Sequence, residues 1–177
     1  MSVEIPEDLQ NLEANGGIFA IWMIFHHYGI DLNISDLTQL CQHDLEMGSS
    51  SIALAVALKT LGLDVDFYTE HDADKQPIEV DFYQQAHRLN IPVIEQPLSY
   101  TEIQENVEAG CFVIVFYDTL EGVGNHSLVY AIDENEISFF DSFESMPKEV
   151  FEQQRRVDGI CQQVIVIDDR NFVMRHS

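Results

Sequence analysis

The chain has 177 residues, of which 46 % are hydrophobic and 10 % aromatic: enough for one full core, and too much for a disordered chain. Its 31 acidic and 8 basic side chains give a formal charge of -23, which repels phosphate backbones and anionic lipid surfaces, so neither nucleic acid nor membrane is an expected partner. The same charge either draws a cationic peptide or protein segment or serves solubility alone.

Asn15 is placed to cap a helix from about Gly16 to Tyr28, which Gly29 stops. Ile34, Leu37, Leu40 and Cys41 share one face of a second helix, predicted from Ser35 to about Glu46. Gly48-Ser-Ser-Ser51 opens a third, carrying Ile52, Leu54, Ala55 and Leu58 and ending at Gly62. Val65 to Tyr68 alternates as a short strand, residues 78–89 read as a further helix, and Thr101 with Gln104 resembles a capping box for a short helix to Ala109. From Cys111 the period changes. Cys111 to Tyr117 is a continuous apolar run suited to a sheet centre, Gly122 to Asn125 is a turn, and His126 to Ile132 is the next strand. A turn at Asp133 to Asn135, then strands over Ile137–Phe140 and Gln163–Ile167, complete a small antiparallel sheet. Helices first and strands later describe a two-layer α+β fold, read as a single domain over 1–177.

Three cysteines, Cys41, Cys111 and Cys161, are an odd count without framework spacing, so they are read as reduced thiols in a cytoplasmic protein. Cys41 and Cys111 fit packing roles, and Cys161 is the one expected nearest the surface. The first eight residues are acidic and lack the basic start of a signal peptide. The longest apolar run, Ile18 to Phe25, is far shorter than the ~20 residues that span a bilayer. His26 and His27 point to different faces of a helix, and His43, His71 and His87 show no ligand spacing, so neither metal nor cofactor is expected.

One ordered set of residues points to chemistry. A thiol nucleophile is best placed at a helix N-terminus, where the dipole favours the thiolate, and position 16 is such a place. There the residue is Gly16, which has no side chain to attack with. Gln10, six residues upstream, offers an amide suited to an oxyanion. His126 opens a strand as a candidate base, and Asp141, fifteen residues on across a tight turn, is a candidate to fix its tautomer. Asn15, Gly17 and Asn125 flank these positions as candidate substrate-binding residues.

Gln10, Gly17, Tyr28–Gly29, Gly48–Ser49, Ala109–Gly110, His126 and Asp141, in that order, resemble the bacteriocin-processing double-glycine peptidases, a papain-like group that cleaves leader peptides after paired small residues. The resemblance runs from about residue 8 to 155. It implies a papain-like fold with N-terminal helices packed on a small C-terminal antiparallel sheet, Gln10 on the oxyanion, His126 as base and Asp141 behind it. Two departures stand out: Gly16 replaces the nucleophile, and the segment before His126 is longer than in the transporter-linked domains. Three readings follow. The chain is a degenerate domain that binds a peptide, basic or with paired small residues, without cutting it. It is a true cysteine peptidase whose nucleophile was exchanged for Gly16 in the laboratory. Or it is a non-enzymatic protein interacting through its acidic surface. A cysteine restored at position 16 is expected to lie beside His126 and to react faster than the three native thiols.

Overall fold

The computed structural model describes residues 4–45, 48–73, 75–119, 124–142 and 144–172. In chain order the helices and strands are α1 (Glu7–Gln10), α2 (Gly16–His27), α3 (Ile34–Leu40), α4 (Ser51–Thr60), β1 (Asp64–Tyr68), α5 (Pro77–Arg88), β2 (Val93–Ile94), α6 (Tyr100–Glu108), β3 (Phe112–Asp118), β4 (Gly124–Ile132), β5 (Glu136–Phe139), β6 (Met146–Pro147), α7 (Lys148–Arg155) and β7 (Val164–Asp168). The strands form one sheet in the order β2-β1-β7-β3-β4-β5-β6. All neighbours are antiparallel except β1 and β2, which pair in parallel through Phe67 with Val93 and Tyr68 with Ile94.

A helix that is apolar all round has to be buried all round. This is what becomes of α2, whose residues from Gly16 to Phe25 are all buried, and of α4, buried from Ser51 to Leu58. These two helices pack on one face of the sheet against Ile114, Leu128, Ile165 and Ile167, with Leu9, Leu37, Phe82 and Ala86 filling around them. The residues between them in sequence, Val113, Val115, Val129, Val164 and Val166, point to the opposite face, as the two-residue period of a strand requires. There they meet Tyr100 and Ile103 of α6 and Phe151 of α7. The α+β class is as expected, but the sheet is covered on both faces. Its third layer comes from two short amphipathic helices that each bury two side chains, of which α6 is expected from the sequence and α7 is not.

Other boundaries move for local reasons. The second helix stops at Leu40, because Gln42 takes a left-handed turn at φ 47°. Ser99 and Glu102 form the capping box of α6, two residues before the predicted pair. Asn15 occupies the N-cap position of α2, but its side chain donates to the Leu9 carbonyl instead of capping the helix. Of the turn expected over Gly122 to Asn125, residues 122 and 123 lie outside the described residues. Gly124 and Asn125 belong to β4, which starts two residues earlier than expected because it pairs with Tyr117 and Asp118. Gly29 does stop α2, at φ +76°. No helix among the described residues is long and apolar enough to cross a membrane.

Candidate functional site

The N-terminus of α2 abuts the start of β4, and this contact defines the site. A Cβ on Gly16 would collide with the carbonyl oxygen of His126 and would lie 2.6 Å from Asn125 Oδ1, where real Cβ atoms come essentially never within 3.0 Å. The obstacle on one side is strand backbone, which cannot rotate away as a side chain could. Gly16 is itself buried. The fold thus closes the position that the resemblance assigns to a nucleophile.

His126 lies directly opposite Phe116 in the β3–β4 register, and the rings stack with centroids 4.3 Å apart. Only 6 % of the residue is exposed. Its Nε2 lies 2.8 Å from Ser51 Oγ, at the first turn of α4, and this hydrogen bond ties strand to helix across the core. Burial disfavours the imidazolium and pushes the His126 pKa down to about 3. At neutral pH the ring is therefore uncharged and a weak proton acceptor, far from the near-neutral pKa that suits a general base.

Asp141 belongs to a different network. Ser127 Oγ donates to Asp141 Oδ2 at 3.1 Å and is bonded to Tyr117 Oη at 2.8 Å. Asn125 Nδ2 donates to both Tyr117 Oη and Ser127 Oγ, each at 3.2 Å. Burial raises the Asp141 pKa, and the Ser127 hydrogen bond offsets part of that rise. Neighbours along a strand face opposite ways, so Asn125 and Ser127 serve one face while His126 and Leu128 serve the other. No hydrogen bond joins Asp141 to His126. Asn125 links the Asp141 network to the Gly16 helix start, with Nδ2 in the first and Oδ1 where a Cβ on Gly16 would lie.

The remaining candidates are dispersed. Gln10 donates through Nε2 to the Ile5 carbonyl at 2.7 Å and lines a groove with Glu4, Glu7, Trp22 and Asp31. Gly17 faces inward, where a Cβ would come within 2.7 Å of Leu54 Cδ1, so it is a packing position between α2 and α4 and not a docking surface. Burial raises the thiol pKa of Cys41 to about 12 and of Cys161 to about 11, so both stay protonated. Among the described residues no group of three or more His, Cys, Asp or Glu could hold a metal ion.

Sequence reasoning misses Ser51 and Ser127, the two hydroxyls that engage His126 and Asp141. It places Ser51 only in a helix opening, where the capping role falls to Ser50, which accepts from the Ala53 N–H. Ser127 could have been found, since it shares a strand face with Asn125 and lies between the two expected catalytic residues.

Comparison with known proteins adds a family. Among solved structures, the peptidase domain of Streptococcus ComA, a bi-functional ABC transporter involved in a quorum sensing pathway, is similar at 16 % identity and a TM-score of 0.49, over 84 % of this chain and 86 % of that one. No curated protein matches the sequence. The Peptidase C39 family model matches residues 5–96, which hold α1 to α5 and the Gly16 helix start. The chain therefore belongs to the peptidase C39 family.

Proposed function

We propose that this chain is a C39 domain that binds a peptide or protein segment without cleaving it. The observation that carries the reading is Gly16: its helix start is pressed so close to β4 that a side chain there would meet the His126 carbonyl and Asn125. A thiol hydrolase needs a nucleophile, a base near neutrality and a group that orients the base. Here the first is missing, the second is buried against Ser51 with its pKa pushed down to about 3, and Asp141 is turned to Ser127. A cysteine peptidase whose nucleophile was exchanged for Gly16 is the alternative reading, and cleavage regained in Gly16→Cys would favour it.

For the ligand, the groove of about 710 Å³ beside Gln10 is the best fit. Glu4, Glu7 and Asp31 line it and would receive a Lys or Arg side chain. Trp22, almost wholly buried, lines it too and adds apolar surface. We place this activity in the cytoplasm, where the free cysteines stay reduced. Leader-type peptides with Gly-Gly or Gly-Ala should emerge intact from incubation when examined by mass spectrometry. By calorimetry, Lys-bearing members should bind more weakly as salt rises and after Glu7→Gln or Asp31→Asn. Cleavage that disappears in His126→Ala would overturn the proposal.

A further inference from the structure

Positive charge is scarce in this chain, with 8 Lys and Arg against 31 acidic side chains, so where each of the seven described ones goes is informative. Lys59 pairs with Asp64, Arg156 with Glu152 and Arg170 with Asp168. Arg155 is buried against Glu152 and the Gln162 carbonyl. Lys148 lies over the Tyr100 ring, and Lys75 donates to the Asp72 carbonyl while its Nζ sits 5.1 Å from the Tyr83 ring centroid. Arg88 differs: among the described residues its guanidinium has no ion pair, hydrogen bond or ring contact.

That free guanidinium lines an open groove of about 470 Å³ on α5, together with Lys75, Val80, Tyr83, Gln84 and His87. The floor is apolar, made by the Tyr83 ring and by Val80, which is 42 % exposed. Tyr83 Oη is buried without a hydrogen-bond partner, a costly state for a hydroxyl. Glu79, Asp72 and Glu95 all act on Tyr83, and Lys75 is engaged by the Asp72 carbonyl and the Tyr83 ring, so among the described residues the free cation of the groove is Arg88. Helix termini do attract basic side chains, and His87 and Arg88 stand in the last turn of α5. The dipole explains their sign. It does not explain an unpartnered phenol and an exposed valine beside them.

We infer that this groove is a binding site for a carboxylate carried on an apolar body, such as an apolar amino acid blocked at its amine or the C-terminal end of a peptide. The carboxylate would take the Arg88 fork, whose two parallel N–H groups match its geometry, and the apolar part would cover Val80 and the Tyr83 ring. The site is independent of Gly16 and His126, so it can fail without touching the peptide-binding proposal, and the reverse holds.

The test titrates the intact chain with N-acetyl-leucine, N-acetyl-leucinamide and inorganic phosphate, following the Val80 methyl resonances by NMR. N-acetyl-leucine should give saturable shifts, and both the amide and Arg88→Gln should weaken binding about tenfold or more, the worth of one charge-assisted hydrogen bond. Arg156→Gln makes the same charge change outside the groove and should leave the affinity as it is. An N-acetylated tripeptide ending in leucine separates the sources: equal affinity assigns the groove to a free acid, tighter binding to a chain end. Equal binding of acid and amide, phosphate binding as tight as N-acetyl-leucine, or an Arg88→Gln variant that binds normally would each overturn the assignment.

Discussion

At the scale of single residues, the geometry turns on one missing side chain and one buried ring. Gly16 is needed for close approach rather than for backbone freedom, because what it meets is a carbonyl of β4. His126 carries a pH signature whose sign can be worked out. Its pKa falls from 6.5 to about 3 on folding, so between those values the unfolded chain binds a proton that the folded chain refuses. Stability contributed at this site is complete above 6.5 and declines as pH drops, by at most about 1.4 kcal/mol per unit. Asp141 has a raised pKa and works in the opposite sense, since protonation then favours the folded state as pH falls. Asp141 and the other six histidines are common to the wild type and His126→Gln, so the difference between the two in the window from 6.5 to about pH 5 reports His126. Urea unfolding across that window should give a steeper fall for the wild type than for His126→Gln. Parallel slopes would mean that His126 is free to protonate in the folded chain.

At the scale of elements, α2 and α4 are held together by a second close approach. Gly17 leaves room for Leu54, so Gly17→Ala should cost about 1–3 kcal/mol by overpacking, and Leu54→Ala about 2–5 kcal/mol by leaving a cavity. Together they should cost less than the sum, because the methyl added at position 17 enters the space that Leu54 vacates. Strict additivity in denaturant titrations would show that the two residues do not touch. The same elements show what could be read from sequence alone. The long apolar runs of α2, of α4 and from Phe112 to Tyr117 announce burial by composition alone, so they were legible. The helix α6 was legible from a capping pattern, whereas α7 and the covering of the sheet's second face were not. Nor was the separation of His126 from Asp141. Fifteen residues across a turn bring two strands together, but Asp141 lies past the end of β5, where strand alternation no longer says which way a side chain points.

At the scale of the whole molecule, the charge of -23 acts on stability before it acts on any partner. The described ion pairs are few and mostly exposed, each worth about 0–1 kcal/mol, so self-repulsion should outweigh them. Raising salt shortens the screening length from ~10 Å at 0.1 M towards ~3 Å at 1 M and should raise the melting temperature in calorimetry. A fall would show that the ion pairs matter more than the net charge. The central claim, that the fold has closed around a glycine in place of a nucleophile, is tested most directly by Gly16→Cys, assayed for stability and for cleavage of Gly-Gly leader peptides. We predict a chain destabilised by about 1–3 kcal/mol, because the new Cβ must displace β4, with no cleavage. A Gly16→Cys chain that keeps wild-type stability and cuts the leader, losing that activity with His126→Ala, would contradict the account.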